Sequence, residues 1–212
     1  MMRVMVLGAQ TPLGREVVED LLVRGHEPTA VIDHSSAGVF AVQHPVSTAT
    51  GDITDPAWVQ AVVVGAQAVV DVLSATCARE AAARAETATG PLLQAMADQQ
   101  VRRYVGIAPH DLYPLPGSTP RFARVQQEVR VVLHPGMAHT RERFQLIAGS
   151  PLNWTIVRAP ALSPGPARGV RHVRLRPEPS AKVSLTRTDA ARFLGAQVLE
   201  TGLVWTSPLI SN

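Results

Sequence analysis

The sequence predicts an α/β fold, a doubly wound parallel sheet with helices on both faces, and two observations carry that prediction. Short apolar runs recur along the chain, most of them followed by a stretch of helical periodicity. The first such unit, residues 4–33, also has glycines at both ends of its strand-to-helix turn and closes on an acid.

Residues 4–7 (VMVL) read as a strand covered on both faces, since no polar residue alternates with the apolar ones. Gly8 makes the turn. Gly14 opens a helix whose Val17, Val18, Leu21 and Leu22 share one side. Arg24-Gly25-His26 stops that helix, and a second strand over 29–32 ends on Asp33. A unit of this shape sets a dinucleotide pyrophosphate on the helix N-terminus, where the amide dipoles favour an anion. Asp33 lies about twenty residues past Gly14, the spacing of a carboxylate that hydrogen-bonds an adenosine ribose. Between the glycines stand Ala9, Gln10, Thr11, Pro12 and Leu13. Thr11 holds the middle position, where a bare backbone lets phosphates approach. Either its Cβ crowds the pyrophosphate or its hydroxyl bonds a phosphate oxygen.

At 212 residues the chain suits one domain, 1–212, with a smaller lobe over 160–187 inside it. One cysteine, Cys77, excludes an internal disulfide and suits a reducing, cytoplasmic setting. No apolar run reaches membrane-spanning length, and the N-terminus enters a strand directly, which argues against a signal peptide. The net charge is +3, carried almost wholly by arginine, with Lys182 the single lysine. Basic residues interleaved with aromatics on one element are missing, so a nucleic-acid partner is not expected. A small-molecule substrate is, with a homodimer as one possible assembly.

Further along, a short strand is expected over 42–46. Asp55-Pro56 starts a helix that continues over 58–64, and Asp52 stands at the adjoining strand end. Residues 68–73 form the fourth strand, which runs into Ser74-Ala75. A helix over 80–100 is broken or kinked at Gly90-Pro91. The fifth strand covers 102–108, and a helix over 141–148 leads to a sixth strand over 154–158. Residues 169–176 alternate apolar residues with Arg171, His172, Arg174 and Arg176, the pattern of a charged edge strand or of a surface that greets an anionic substrate. Thr188-Asp189 caps a last helix through Leu199, and Val204-Trp205 adds an edge strand. An extra amphipathic helix over 121–134 packs on the core, or serves as a lid or dimer helix.

Together these segments resemble the atypical short-chain dehydrogenase/reductases, the NmrA-like and NAD(P)H-binding proteins that include the biliverdin reductase B/flavin reductase type. The resemblance rests on the Gly8–Gly14 turn, on Gly51-Asp52-Ile53-Thr54-Asp55 and on Gly65-Ala66-Gln67-Ala68-Val69-Val70. It continues through Val101-Arg102-Arg103-Tyr104-Val105, Leu152-Asn153-Trp154-Thr155-Ile156-Val157-Arg158 and Thr186-Arg187-Thr188-Asp189-Ala190-Ala191. It implies a Rossmann-type sheet with a small C-terminal substrate lobe. It also implies a dinucleotide held by Gly8, Gln10, Thr11, Pro12, Leu13, Gly14, Asp33, Asp52, Ile53, Leu73, Ser74, Ala75 and Ala108. Relatives that prefer NADP carry arginine where Asp33 stands, so NAD is the expected cofactor, with NADP second and no cofactor the remaining alternative.

The catalytic match fails. Relatives often use a Tyr-x-x-x-Lys pair, but four residues after Tyr104 and Tyr113 stand Ala108 and Gly117. Where a Lys-x-x-x-Glu is common, the chain reads Arg141 and Gln145. The proton-carrying candidates left are His110, Asp111 and Tyr113 after the fifth strand, His134 at the end of the extra helix, and His139 before the helix that faces the substrate in relatives. His110-Asp111 equally suits a surface loop. Three uses stay open: an NAD(P)-dependent oxidoreductase acting on a small, cyclic or aromatic molecule; a non-redox cyclase, dehydratase or isomerase; and an NmrA-like nucleotide sensor.

Overall fold

The computed structural model describes residues 1–34, 40, 42, 44–75, 79–110, 112, 136–175 and 184–212. The expected helix over 121–134 with His134, together with Cys77, Asp111, Tyr113 and Lys182, lies outside them.

The core is a mostly parallel, eight-stranded sheet between two helical layers. Its strands are β1 (Arg3–Leu7), β2 (Glu27–Asp33), β3 (Ser47–Gly51), β4 (Ala68–Asp71), β5 (Arg103–Pro109) and β6 (Asn153–Ala159), joined by β8 (His172–Arg174) and β10 (Leu209–Ser211). The spatial order is β3-β2-β1-β4-β5-β6-β10-β8, and only β8 runs antiparallel to its neighbour. The order reverses between β1 and β4, which opens a crevice at their carboxyl ends. Helices α1 (Pro12–Val23) and α6 (Arg187–Gln197) cover one face; α2 (Pro56–Val63), α3 (Arg79–Thr87), α4 (Thr89–Asp98) and α5 (Gly136–Ala148) cover the other.

The unbroken apolar strands follow from this layering. In β1, Val4 and Val6 enter the core under α1 and α6, while Met5 and Leu7 enter the opposite one. A Cβ on Gly14 would stand 2.3 Å from the Gly8 carbonyl oxygen, so this glycine is what lets α1 lie against the strand end.

Several local expectations are corrected. Helix α1 begins at Pro12 rather than Gly14, because the Thr11 side chain caps it. The third strand is 47–51, not 42–46: backbone pairing with β2 runs from Thr29↔Ser47 to Asp33↔Gly51. The helical stretch 80–100 divides at Ala88, just before Gly90-Pro91. Helix α5 starts at Gly136, which puts His139 inside it rather than ahead of it. Helix α6 is capped by Thr186, not by Thr188-Asp189, and ends at Gln197. Val204-Trp205 forms no strand: Trp205 turns into the left-handed region at φ +58, and its indole N–H donates to the Leu152 carbonyl. The strand there is β10, inside the sheet between β6 and β8. Among the described residues of 160–187, β7 (Leu162–Ser163) pairs with β9 (Leu185–Thr186), and β8 closes the edge of the main sheet with His172 and Val173 exposed.

Candidate functional site

Apart from His139, which sits inside α5, the described residues expected at the site lie at the carboxyl edge of the sheet, in the turns that leave it or in the first turn of α1. At the switch point, Gly8 adopts φ +80, a conformation that side-chain-bearing residues rarely take, and a Cβ there would press Val72 and Leu73 across the crevice. Thr11 is fully engaged. Its hydroxyl donates to the Gly8 carbonyl at 2.8 Å and accepts the Gly14 amide at 3.0 Å. The hydroxyl thus serves as a helix cap, and it takes one of the amides an anion would use. Pro12 has no N–H, and the Leu13 N–H makes no hydrogen bond among the described residues. The Gln10 side-chain oxygen is also buried without a partner among the described residues. Gly8's turn, an unspent amide and the helix dipole suit a pyrophosphate here, with a narrower donor set than two bare amides would give.

At the other end of the crevice, Asp33 closes β2 and Asp52 follows β3. Asp33 keeps 3% of its surface. Arg84, from α3, grips it with Nε at 2.5 Å and Nη2 at 2.8 Å, and the same Nη2 reaches Asp52 Oδ1 at 2.6 Å. Asp52 also accepts from the Thr54 hydroxyl and amide, and these bonds hold its carboxyl below the ordinary range. The bond to Asp33 raises the Arg84 guanidinium further above its already high value. Ile53 lies buried behind Asp52. Asp33 is thus a carboxylate with a guanidinium already on it, not a bare acceptor.

Past β4, a single 3₁₀ turn carries Leu73, Ser74 and Ala75. Ser74 is buried, and its Oγ accepts Arg143 Nη1 at 2.7 Å. Arg143 rises from α5, ion-pairs with Asp71 and donates to Thr89 Oγ1 at 3.0 Å, while the Tyr104 hydroxyl donates to the same carboxylate at 3.0 Å. Burial pushes the Arg143 guanidinium down, and the facing carboxylate more than restores it. Burial, with Asp71 alongside, drives the Tyr104 phenol well above its usual value, so it stays protonated. This network carries no exposed proton donor. It holds the turn from beneath.

Beside that turn, a cleft of about 410 Å³ opens between the ends of β5 and β6, lined by Ala75, Ala108, His110, Met137, Ala159 and Leu162 among others. Among the described residues His110 is its one titratable side chain, and its backbone amide is anchored to the Ala159 carbonyl at 2.7 Å. His139 is absent from that lining: its Nδ1 faces Glu86 Oε2 of α3 at 2.5 Å. The structure therefore separates the two histidines, one in the cleft and one paired on the helical face.

Sequence reasoning missed Arg84, Glu86, Asp71 and Arg143. Only Arg143 left a local trace, as a charge spaced with Thr140, Phe144 and Ile147 on the buried side of α5. Arg141 and Gln145, expected there by position, take no part in these contacts.

Comparison with solved structures shows the same fold at low identity. A Bacillus halodurans protein named as an NAD-dependent epimerase/dehydratase superposes with TM-score 0.77 and 17% identity, over 100% of this chain and 94% of that one. A Streptococcus pneumoniae protein named as an NADH-flavin reductase gives 0.76 and 16%, over 100% of both chains. A Veillonella parvula short-chain dehydrogenase/reductase in complex with NADP gives 0.68 and 16%, over 100% and 94%. A comparison with curated proteins gives no match. The NAD(P)H-binding family model matches residues 8–201, nearly the whole chain, from the Gly8 turn through α6. With that match over a doubly wound sheet whose switch-point turn is intact, the chain belongs to the NAD(P)H-binding family.

Proposed function

We propose that the protein is an NAD(P)H-dependent oxidoreductase acting on a small, largely apolar, cyclic or aromatic molecule in the cleft beside His110. The observation that carries this reading is the cleft itself. Its described lining is aliphatic side chains and backbone with one imidazole, that of His110, and it lies next to the Leu73–Ala75 turn. When bound, the nucleotide supplies or accepts hydride.

The chain's own residues would do the rest. The Gly8 turn and the Leu13 amide would hold the pyrophosphate, and the Leu73–Ala75 turn, fixed from beneath by Arg143, would line the nicotinamide side. His110 exchanges a proton with the heteroatom of the substrate. Asp33, as an acceptor for a free 2′-hydroxyl, favours NAD over NADP. No helix among the described residues is long and apolar enough to cross a membrane, and the lone cysteine suits the cytoplasm.

The test is direct. Purified protein should enhance NADH fluorescence on titration and should oxidise NADH when small quinones or flavins are added. Turnover of a substrate with no nucleotide present would overturn the redox reading in favour of non-redox chemistry. Failure of either nucleotide to bind would overturn the cofactor reading.

A further inference from the structure

Asp33 and Asp52 are forced together by the sheet. Parallel pairing of β2 with β3 sets Asp33 opposite Gly51, so the next residue, Asp52, lands beside it at the same edge. Two carboxylates there would repel one another and any anionic ligand. Arg84 reaches over from α3 and spends three of its five N–H donors on them. The two donors on Nη1 have no partner among the described residues, and the side chain keeps 29% of its surface.

We propose that Arg84 sets the ratio of NADH to NADPH affinity, admitting a 2′-phosphate that Asp33 and Asp52 alone would exclude. This rests on the nucleotide reading above and adds to it a residue from a different element. A ribose with a free 2′-hydroxyl needs an acceptor, which Asp33 supplies with or without its guanidinium. A 2′-phosphate needs donors and tolerates little nearby negative charge. Arg84 meets both needs, cancelling one of the two charges and keeping the Nη1 donors unspent among the described residues. Its loss would therefore fall on the phosphorylated cofactor.

The experiment is fluorescence titration of NADH and of NADPH into the native chain and the variants Arg84→Met, Arg84→Lys and Asp52→Asn, with thermal melts to confirm folding. Arg84→Met should weaken NADPH about tenfold more than NADH, roughly the loss of one charge-assisted hydrogen bond. Arg84→Lys, which keeps the charge and loses the fork, should fall between. Asp52→Asn should shift the ratio the other way, toward NADPH. Equal losses for both nucleotides in Arg84→Met, or a larger loss for NADH, would mean that Arg84 only holds Asp33 in place, and would overturn the proposal. Should Arg84→Met not fold, Asp52→Asn decides: an unchanged or lowered relative affinity for NADPH overturns it. If the native chain binds neither nucleotide, the cofactor reading falls and takes the proposal with it; binding with an unmoved ratio removes the proposal alone.

Discussion

Arg143 meets Asp71 where water is excluded: the two side chains keep 1% and 0% of their surface. Removing one partner strands a buried charge, which costs about 3–5 kcal/mol, whereas replacing both with apolar groups is far milder. Arg143→Met alone should therefore lower the urea midpoint sharply, and the double variant Arg143→Met with Asp71→Leu should recover much of it. Tyr104→Phe, which removes one bond to the same carboxylate, should cost about 1.5–3 kcal/mol. A double variant no better than the single one would show that the pair stabilises by more than mutual neutralisation.

Thr11 closes the first turn of α1 on itself. Thr11→Ala should cost about 1 kcal/mol through the lost cap, and Thr11→Ser should cost little. Thr11→Gly should release the Gly14 amide and tighten NADH binding by about tenfold, the worth of one charge-assisted bond. Calorimetric titration of the three variants checks this, and weaker binding by the glycine variant would show that the cap itself shapes the phosphate cradle.

His110 stands in the cleft while His139 is tied to Glu86. His110→Ala should lower kcat by about 10²–10⁴ with NADH affinity unchanged, the range for a lost general acid or base. His139→Ala should leave kcat within a few-fold and lower the melting temperature slightly. The reverse pattern in steady-state kinetics would move the proton transfer to α5.

Acid should weaken the fold in two stages. Burial pushes the His26 imidazole below its ordinary 6.5, with the N-terminal ammonium and Arg24 adding to the shift, and its Nδ1 has no partner among the described residues. The depressed value makes the neutral form the folded one, so stability is full above 6.5 and drains as pH falls through the lower folded value. Asp189 follows at lower pH. Burial pushes its carboxyl up, but bonds from Thr186, Asn212 and the Arg168 and Gly169 amides bring it below the usual carboxylate value. Its contribution is complete above the unfolded carboxyl range and is lost on acidification through the folded value. Melting curves across pH should show both stages, with His26→Gln flattening the first and Asp189→Asn the second.

The parts of this molecule governed by neighbours in sequence were legible in it. The run Val4–Leu7, the Gly8 turn, the Arg24-Gly25-His26 stop and the Asp55-Pro56 start all follow from local sterics and capping. Contacts made across the chain were not. Nothing near Asp33 announces Arg84, whose sequence distance from it is 51, and nothing near Asp71 announces Arg143 at a distance of 72. Thr11 defeated sequence reasoning differently, since a hydroxyl in that turn can face a ligand or its own backbone, and only the position of α1 decides. Arg103 is a similar case. Its charge reads as surface, yet it is buried, its guanidinium is lowered to about 10 by that burial, and it donates to the Gln197 and Glu200 carbonyls at the end of α6.

The Asp189 carboxylate gathers the Arg168 and Gly169 amides, the Thr186 hydroxyl and the Asn212 side chain onto one point. Residues 160–168, which begin at the cleft rim, are therefore moored by β6 at one end, by the pairing of β7 with β9 in the middle and by this carboxylate at the other end. Loosening the far mooring should therefore free this stretch of the rim to shift, and a broader range of molecules admitted to the cleft is the expected consequence.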